Sequence, residues 1–273
     1  VGIKNYDDIR AFMDRVELPY MLKPRSEASA MGIRKITETE QLWRALDELG
    51  DLQSYYLLEE FVPGSVYHVD SIVVDGKVVF FTPQIYGAPP LQVYQGGGVF
   101  TSRVLRPRSK DAKALRDLNE RVIAALGMQN GVAHTEFIKA SADDTFYFLE
   151  SAARVGGANL SDLIAHATGI DLWEEWARLE VAMMRGEKYK LPKTKKQAAG
   201  LLMTLAKQEH PDMSGYDDPE VVWRAQKAYH AGLIVTSDDF ARIDELLDNY
   251  AQRFAQEFTA VADPWGPQRT GSN

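Results

Sequence analysis

Two glutamates and an arginine within Gly131–Gly157 have the residue types and the spacing for phosphate chemistry. Glu136 and Glu150 fall near the ends of two adjacent predicted strands, and Arg154 follows the second glutamate by four residues. Mg²⁺ in nucleotide enzymes is typically held by one or two carboxylates, with substrate phosphates and water completing its shell. A guanidinium binds an anion through paired hydrogen bonds. The segment predicts a metal and phosphate site; the alternative is a set of solvated surface charges.

The neighbouring residues predict the elements that position these side chains. The run 146–150 reads as a buried strand with a period of two, and it ends at Glu150. The sequence RVGG follows directly, and its glycines let the backbone approach a ligand closely. A strand end followed by a flexible loop therefore presents the carboxylate of Glu150 and the guanidinium of Arg154.

A lysine at a strand end forms a second candidate site. Lys23 closes a predicted strand at 18–23 and precedes Pro24 and the loop 25–32, which is rich in small residues. An ammonium beside several backbone N–H groups is suited to phosphate oxygens. The alternative is a surface lysine before a turn proline.

The segment Leu57–Gly64 is an apolar strand that runs into two glutamates and then into Phe61 and Val62. Such a strand offers backbone groups to the edge of an adenine ring, while its apolar side chains sandwich the ring. The alternative is a strand that ends in solvated acids.

His68 and Asp70 share one face of a predicted strand, because side chains two residues apart point the same way. They are suited to ribose hydroxyls, or they satisfy each other as a buried pair. His134 shares the face of Glu136 in the same manner. Three alternatives are open for His134: it tunes the metal site, it contacts a substrate, or it is a hydrogen-bonded structural histidine.

The order of these motifs resembles the ATP-grasp superfamily, most closely its carboxylate–amine ligase branch, and is also similar to the biotin-carboxylase-like ATP-grasp domain. The resemblance covers about residues 18–185 and rests on KPR, EEFV, HVD, HTEF, FLESAAR and GG in that order. It implies an α+β, ATP-grasp fold: two α+β lobes with ATP bound between their antiparallel sheets. It implies ATP and Mg²⁺ as cofactors, with Mn²⁺ as a second cation that such a site accepts.

The resemblance also implies a role for each matching residue in nucleotide binding. Lys23 would contact the α- and β-phosphates, and the loop through Ser29 and Gly32 would cover the triphosphate. The strand at 59–62 would recognise adenine mainly through backbone groups, and His68 would bind ribose. The implied nucleotide-binding set is Lys23, Ser29, Gly32, Glu59, Glu60, Phe61, Val62 and His68.

In the same resemblance, Glu136 and Glu150 match the two metal-bridging carboxylates. Arg154 matches the arginine that binds the transferred phosphoryl group or the acyl phosphate, and Lys23 and Arg154 are the implied catalytic residues. Many members carry an asparagine two residues after the second glutamate, where this chain has Ala152. Members also have an N-terminal α/β domain and an earlier ATP-binding lysine without a counterpart here, so we expect a longer protein or a shortened form.

The implied reaction is ATP-dependent ligation of a small-molecule carboxylate and an amine through an acyl phosphate. The alternatives are a catalytically reduced ATP-binding regulatory module, which Ala152 motivates, and a phosphotransferase. We expect three regions: 1–63 as a small ATP-grasp lobe, 64–186 as a large lobe with the metal site, and 187–273 as a C-terminal α+β extension packed on the large lobe. The loop 87–98 is either a substrate-covering segment or an ordinary surface loop.

Composition narrows the class of protein. The 273 residues carry a net charge of -8, which argues against a general binder of nucleic acid or membrane surfaces, since these need a basic face. The absence of cysteine excludes disulfides, thiolate catalysis and Cys-zinc sites, and it favours a reducing cytoplasm. No apolar run approaches the length of a membrane span. A homo-oligomer is compatible with this composition.

Overall fold

A computed structural model describes residues 1–26 and 31–260 of the chain. The chain divides into two compact units, Val1–Gly64 (the N-terminal unit) and Ser65–Asn273 (the main unit). The helices are α1 Tyr6–Met13, α2 Thr39–Leu49, α3 Pro90–Gly96, α4 Lys110–Ala125, α5 Leu160–Thr168, α6 Leu172–Met184 and α7 Phe240–Glu257. The strands are β1 Tyr20–Pro24, β2 Arg34–Ile36, β3 Tyr56–Glu60, β4 Gly64–Val74, β5 Lys77–Tyr86, β6 Phe100–Val104, β7 Gly131–Ala140, β8 Phe146–Ala152, β9 Ala198–Leu205, β10 Val221–Arg224 and β11 His230–Ser237.

The N-terminal unit is a three-stranded antiparallel sheet in the order β2-β1-β3 with α1 and α2. Asn5 caps α1 by accepting a hydrogen bond from the backbone N–H of Asp7, which satisfies one of the donors left open at a helix start. Apolar residues at helical spacing in both helices pack on the sheet around Leu22 and Leu58. Lys23 and Glu59 are thereby fixed on neighbouring strands.

The main unit is built on an eight-stranded sheet in the order β10-β11-β9-β6-β5-β4-β7-β8. Its central hairpin joins β4 and β5 through Asp75 and Gly76, whose φ angles of 49° and 73° suit a turn that needs positive φ at both positions. Asp-Gly between two apolar runs is a strong sequence signal for such a hairpin, and the structure has it. Strands β9–β11 lie within residues 187–273 and continue the same sheet, because β9 pairs with β6.

Helices cover both faces of this sheet. On one face, Leu115 of α4 packs with Val69 and Phe137. On the opposite face, α5 packs Leu163 against β9 and Ile164 against Ile72. Since alternate residues of a strand point to opposite faces, His68 and Asp70 lie on the α5 face. The candidate site is therefore built on that face.

The segment 87–98 differs from the sequence prediction of an irregular loop. It contains the short helix α3, with Pro90 in its first turn. Proline is favoured there because an N–H at this position would have no intrahelical partner, and because the φ of proline is already helical.

Among the helices of the described residues, none is long and apolar enough to cross a membrane.

Candidate functional site

In the N-terminal unit, Lys23 is held beside Glu59. Its Nζ lies 2.9 Å from Oε2 of Glu59, and Lys23 is buried while Glu59 is partly exposed. The register explains the contact, because Lys23 pairs with Leu57, so Glu59 is its diagonal neighbour on the same face. The paired strands thus hold the lysine in one direction, as a phosphate-binding ammonium requires.

The remaining predicted residues of this unit lie around the same sheet. Gly32 has φ of 72°, a backbone conformation that favours glycine. The N–H of Phe61 donates to the carbonyl of Pro19, and Lys35 Nζ lies 3.9 Å from the centre of the Phe61 ring. Within the described part of the chain, the N–H of Val62 has no protein acceptor. Glu60 ends β3 as an exposed residue, and Ser29 lies outside the described residues.

In the main unit, Glu136 and Glu150 stand directly opposite each other on β7 and β8. Cross-strand partners share one face, and like charges in this arrangement are destabilising. The two strands hold their carboxylates on the same side of the sheet edge. Two such carboxylates could hold a divalent cation, which would offset this repulsion.

A β-bulge produces this opposition. Phe137 pairs with Phe148 and Glu136 pairs with Glu150, so Leu149 is an extra residue in β8. With strict alternation, Glu150 would share the face of Phe148 and point away from Glu136. The extra residue resets the alternation, as bulges do where a side chain must be re-aimed.

A buried hydrogen-bonded chain of side chains crosses four neighbouring strands behind Glu136, from β6 through β5 and β4 to β7. Its distances are His68 Nε2 to Ser102 Oγ 2.9 Å, His68 Nδ1 to Asp70 Oδ2 2.9 Å, Gln84 Nε2 to Asp70 Oδ2 2.9 Å, His134 Nδ1 to Asp70 Oδ1 2.9 Å, His134 Nε2 to Glu136 Oε1 3.4 Å and Tyr86 Oη to Glu136 Oε1 2.7 Å. We call these seven residues the polar chain. Buried polar groups are stable when they are paired in this way.

His134 lies between two carboxylates and is a cation in this arrangement. Ionised carboxylates only accept hydrogen bonds, so both ring nitrogens of His134 must donate. Burial alone would lower the pKa of His134, but the charges and hydrogen bonds of Asp70 and Glu136 outweigh burial and raise it to about 10. Burial would likewise raise the pKa of Glu136, but His134 and Tyr86 lower it. Glu136 therefore stays ionised, as a cation ligand must.

His68 is a neutral member of the same polar chain. It is fully buried, and burial lowers its pKa despite the neighbouring Asp70. Its Nδ1–H donates to Asp70 and its Nε2 accepts from the hydroxyl of Ser102. The His–Asp pair that the sequence offered as an alternative is therefore present. A ribose hydroxyl would reach His68 only after one of these bonds opened, and the ribose role stays a prediction.

Gly156, which follows Val155 in the loop after β8, packs directly against the polar chain. A Cβ added at Gly156 would lie 2.9 Å from His134 Nδ1 and 3.0 Å from Asp70 Oδ1. The loop packs so closely that only glycine fits without displacement. Arg154 on this loop is exposed, and its Nη1 donates to the carbonyl of Val155 at 2.9 Å.

Sequence reasoning missed Tyr86, Gln84 and Ser102. The signal was a polar series at period two in an otherwise apolar hairpin strand, since Thr82, Gln84 and Tyr86 alternate along β5. Such residues share one face. Only the strand order, which places β5 and β6 beside β4, shows that this face is that of Glu136.

The donor set at the sheet edge fits a hard divalent cation. It consists of carboxylate oxygens, which Mg²⁺ prefers. The cluster of His68, Asp70 and His134 also has metal-ligand atoms within 4.8 Å of one another. The lone pairs and protons of these three residues are already used in hydrogen bonds, so Glu136 and Glu150 are the better candidates to hold a cation.

Comparison with known proteins finds relatives in both sequence and structure. A sequence profile of the ATP-grasp domain matches residues 16–162. An L-arginine-specific L-amino acid ligase of Bacillus subtilis is 23% identical over 185 residues, which is 66% of this chain and 44% of the relative. The alanine–anticapsin ligase of Bacillus subtilis strain 168 is 27% identical over 199 residues, which is 62% of this chain and 40% of the relative. The chain thus spans less than half the length of these two relatives.

The same fold occurs in solved structures. N5-carboxyaminoimidazole ribonucleotide synthetase from Thermus thermophilus aligns with a TM-score of 0.66 at 20% identity, covering 97% of this chain and 68% of that structure. At this identity the likeness concerns the fold. The alignment supports the expected α+β architecture with antiparallel sheets.

Proposed function

The chain belongs to the ATP-grasp family, and on that premise we propose that it acts as an ATP-dependent carboxylate–amine ligase. The observation that carries the proposal is the opposition of Glu136 and Glu150, with Glu136 kept ionised by Tyr86 and His134. Two aligned carboxylates suit the cation that accompanies ATP. Both Bacillus relatives are ligases by name, which supports the same class of reaction.

In the proposed reaction, an oxygen of the substrate carboxylate attacks the γ-phosphorus of ATP. The bond to the bridging oxygen breaks, ADP leaves, and an acyl phosphate forms. The amine nitrogen then attacks the acyl carbon, phosphate departs, and the nitrogen loses a proton to phosphate or water. The product contains a new C–N bond.

The residues of this chain supply positioning and charge in that reaction. Lys23 would bind phosphate oxygens of ATP, and Arg154 would bind the transferred phosphoryl group. Glu136 and Glu150 would hold Mg²⁺, or Mn²⁺ in its place, and the ion would neutralise negative charge as the phosphoryl group moves. Phosphoryl transfer is accelerated mainly by such positioning and electrostatic stabilisation.

For the adenine end, we propose Glu59, Glu60, Phe61 and Val62, with Ser29 and Gly32 covering the triphosphate and His68 near the ribose. The N–H of Val62 has no acceptor among the described residues, which supports a backbone contact to the base. The names of both Bacillus relatives refer to amino acids. We therefore propose amino acids as the first substrates to test, and the cytoplasm as the compartment that supplies them with ATP.

The test is phosphate release by the purified protein with Mg-ATP across a panel of amino acid pairs, with product identified by mass spectrometry. Glu150→Gln should abolish Mg²⁺-dependent turnover while leaving the fold intact, because it removes one of the two cation ligands. Glu187→Gln, an exposed site on the connector after α6, is the matched control. Near-normal turnover in Glu150→Gln would refute the metal role of that residue.

Ala152 favours a second candidate, an ATP-binding module with reduced catalysis. It occupies the position of a further metal ligand in many relatives, and in this fold it pairs with His134. Tight Mg-ATP binding without turnover on any pair would select this candidate over the ligase. Phosphorylated substrate without ligated product would instead identify a phosphotransferase.

A further inference from the structure

The two protein donors to Glu136 contact the same carboxylate oxygen. Tyr86 Oη donates to Oε1 at 2.7 Å and His134 Nε2 reaches Oε1 at 3.4 Å. Within residues 1–26 and 31–260, no protein donor contacts the other oxygen, Oε2. The side chain is 13% exposed. The carboxylate is therefore held from one side, with its second oxygen available to a ligand.

The donor His134 is itself held in place from behind. Its Nδ1 lies 2.9 Å from Oδ1 of Asp70, which has no exposed surface, and Asp70 receives further hydrogen bonds from His68 and Gln84. An imidazole with one nitrogen bound in this way has a fixed ring plane. The fixed ring sets the direction from which Nε2 approaches Glu136.

A purely structural role explains this arrangement poorly. A buried network of charged and polar groups is often no more stabilising than apolar residues of the same volume. Here the polar chain interrupts an apolar sheet face and ends at a carboxylate that faces a second carboxylate. In metal sites, groups behind the ligands fix ligand orientation and raise metal affinity.

We propose that Asp70, His134 and Tyr86 are positioning residues, which fix the carboxylate of Glu136 so that Oε2 is presented to a divalent cation. The inference rests on the proposed function, because it takes Glu136 as a cation ligand. His134 acts on Glu136 directly, and Asp70 acts through His134.

The geometry of the imidazole allows its two contacts to be separated. Asparagine places an amide nitrogen near the position of Nδ1, and glutamine places one near Nε2. His134→Asn thus keeps a donor for Asp70 and loses the one for Glu136, whereas His134→Gln keeps the donor for Glu136. The measurement is Mn²⁺ affinity by electron paramagnetic resonance with the non-hydrolysable ATP analogue AMP-PNP bound, so no turnover is needed.

We expect His134→Asn to weaken Mn²⁺ binding by about tenfold or more, the usual effect of losing a group behind a metal ligand. His134→Gln should have a smaller effect, and Asp70→Asn should weaken binding as well. Tyr86→Phe removes only a hydroxyl and should also weaken binding, which provides a test if a histidine variant does not fold. Circular dichroism identifies the variants that are folded.

Ser71→Ala is the matched control. Ser71 is as buried as its neighbour Asp70 and accepts a hydrogen bond from Asn119 at 2.8 Å, on the opposite face of β4. Its loss should lower stability and leave Mn²⁺ affinity unchanged. Folded His134→Asn or Tyr86→Phe with wild-type affinity would overturn the proposal, as would equal losses in His134→Asn and His134→Gln. Wild-type affinity in Asp70→Asn would overturn the role of Asp70.

Two further variants separate this inference from the proposed function. If Glu136→Gln and Glu150→Gln also leave Mn²⁺ affinity unchanged, the metal site of the proposed function has failed. If those two variants weaken binding and the positioning variants do not, only the positioning inference has failed.

Discussion

At the scale of single residues, His134 between Asp70 and Glu136 sets the charge of the site. Because both nitrogens donate to carboxylates, the imidazolium offsets part of the negative charge that Glu136 and Glu150 bring to one sheet edge. With a pKa of about 10, His134 stays protonated through neutral pH. The carboxylate of Glu136 therefore keeps its charge in the absence of a cation, as its proposed role as a cation ligand requires.

Gly156 gives the residue-scale prediction. Gly156→Ala should destabilise the fold by about 1–3 kcal/mol, the usual effect of overpacking a filled site, because its Cβ would press on His134, Asp70 and Leu160. The free energy of unfolding in urea measures this loss. Gly157→Ala is the control, since a Cβ there meets nothing within 4 Å and neither glycine has positive φ. Equal stability of the two variants would contradict the close approach.

At the scale of elements, the sequence predicts those features that depend on residues close together in the chain. The Asp75-Gly76 hairpin and the bounds of α5, Leu160–Thr168, were predictable because turn residues and helical periodicity act within a few positions. The bulge at Leu149 was not, since regular alternation places Glu150 with Phe148 and only pairing with β7 shows the extra residue. The polar chain was also not predictable, because its members come from four strands and their order in the sheet does not follow from local sequence patterns.

The start of α7 gives the element-scale prediction. Ser237, Asp238 and Asp239 are all residue types that cap helices. In the structure Asp239 is the cap, accepting from the N–H of Ala241 at 2.9 Å. Asp239→Ala should destabilise the protein by about 1 kcal/mol, because the first turn loses an acceptor for its open N–H. Asp238→Ala, one residue earlier and exposed, should leave the thermal unfolding midpoint unchanged. A larger loss in Asp238→Ala would show that the cap is assigned to the wrong residue.

At the scale of the whole molecule, each of the two units carries its own set of the proposed residues. Lys23 and Glu59 belong to the N-terminal unit, whereas Glu136, Glu150 and Arg154 belong to the main unit. Each unit also has a core of its own, around Leu22 and Leu58 in the first and around α5 and α7 in the second. Variants in one unit therefore test the residues proposed there separately from those of the other unit.

This division predicts that residues 64–273, expressed without the N-terminal unit, fold cooperatively on their own. The segment keeps all eight strands of the larger sheet and the clusters that pack on both its faces. Such a self-contained core is what a single unfolding transition requires. The segment should bind Mn²⁺ in a manner that Glu136→Gln abolishes. It should bind AMP-PNP more weakly than the whole chain, because Lys23 and the other nucleotide-binding residues proposed in the N-terminal unit are absent. Thermal unfolding by circular dichroism and calorimetric titration measure these properties. A segment without a cooperative transition would show that the main unit needs the first 63 residues to fold. Undiminished AMP-PNP affinity would contradict the proposed nucleotide contacts of Lys23 and of residues 59–62.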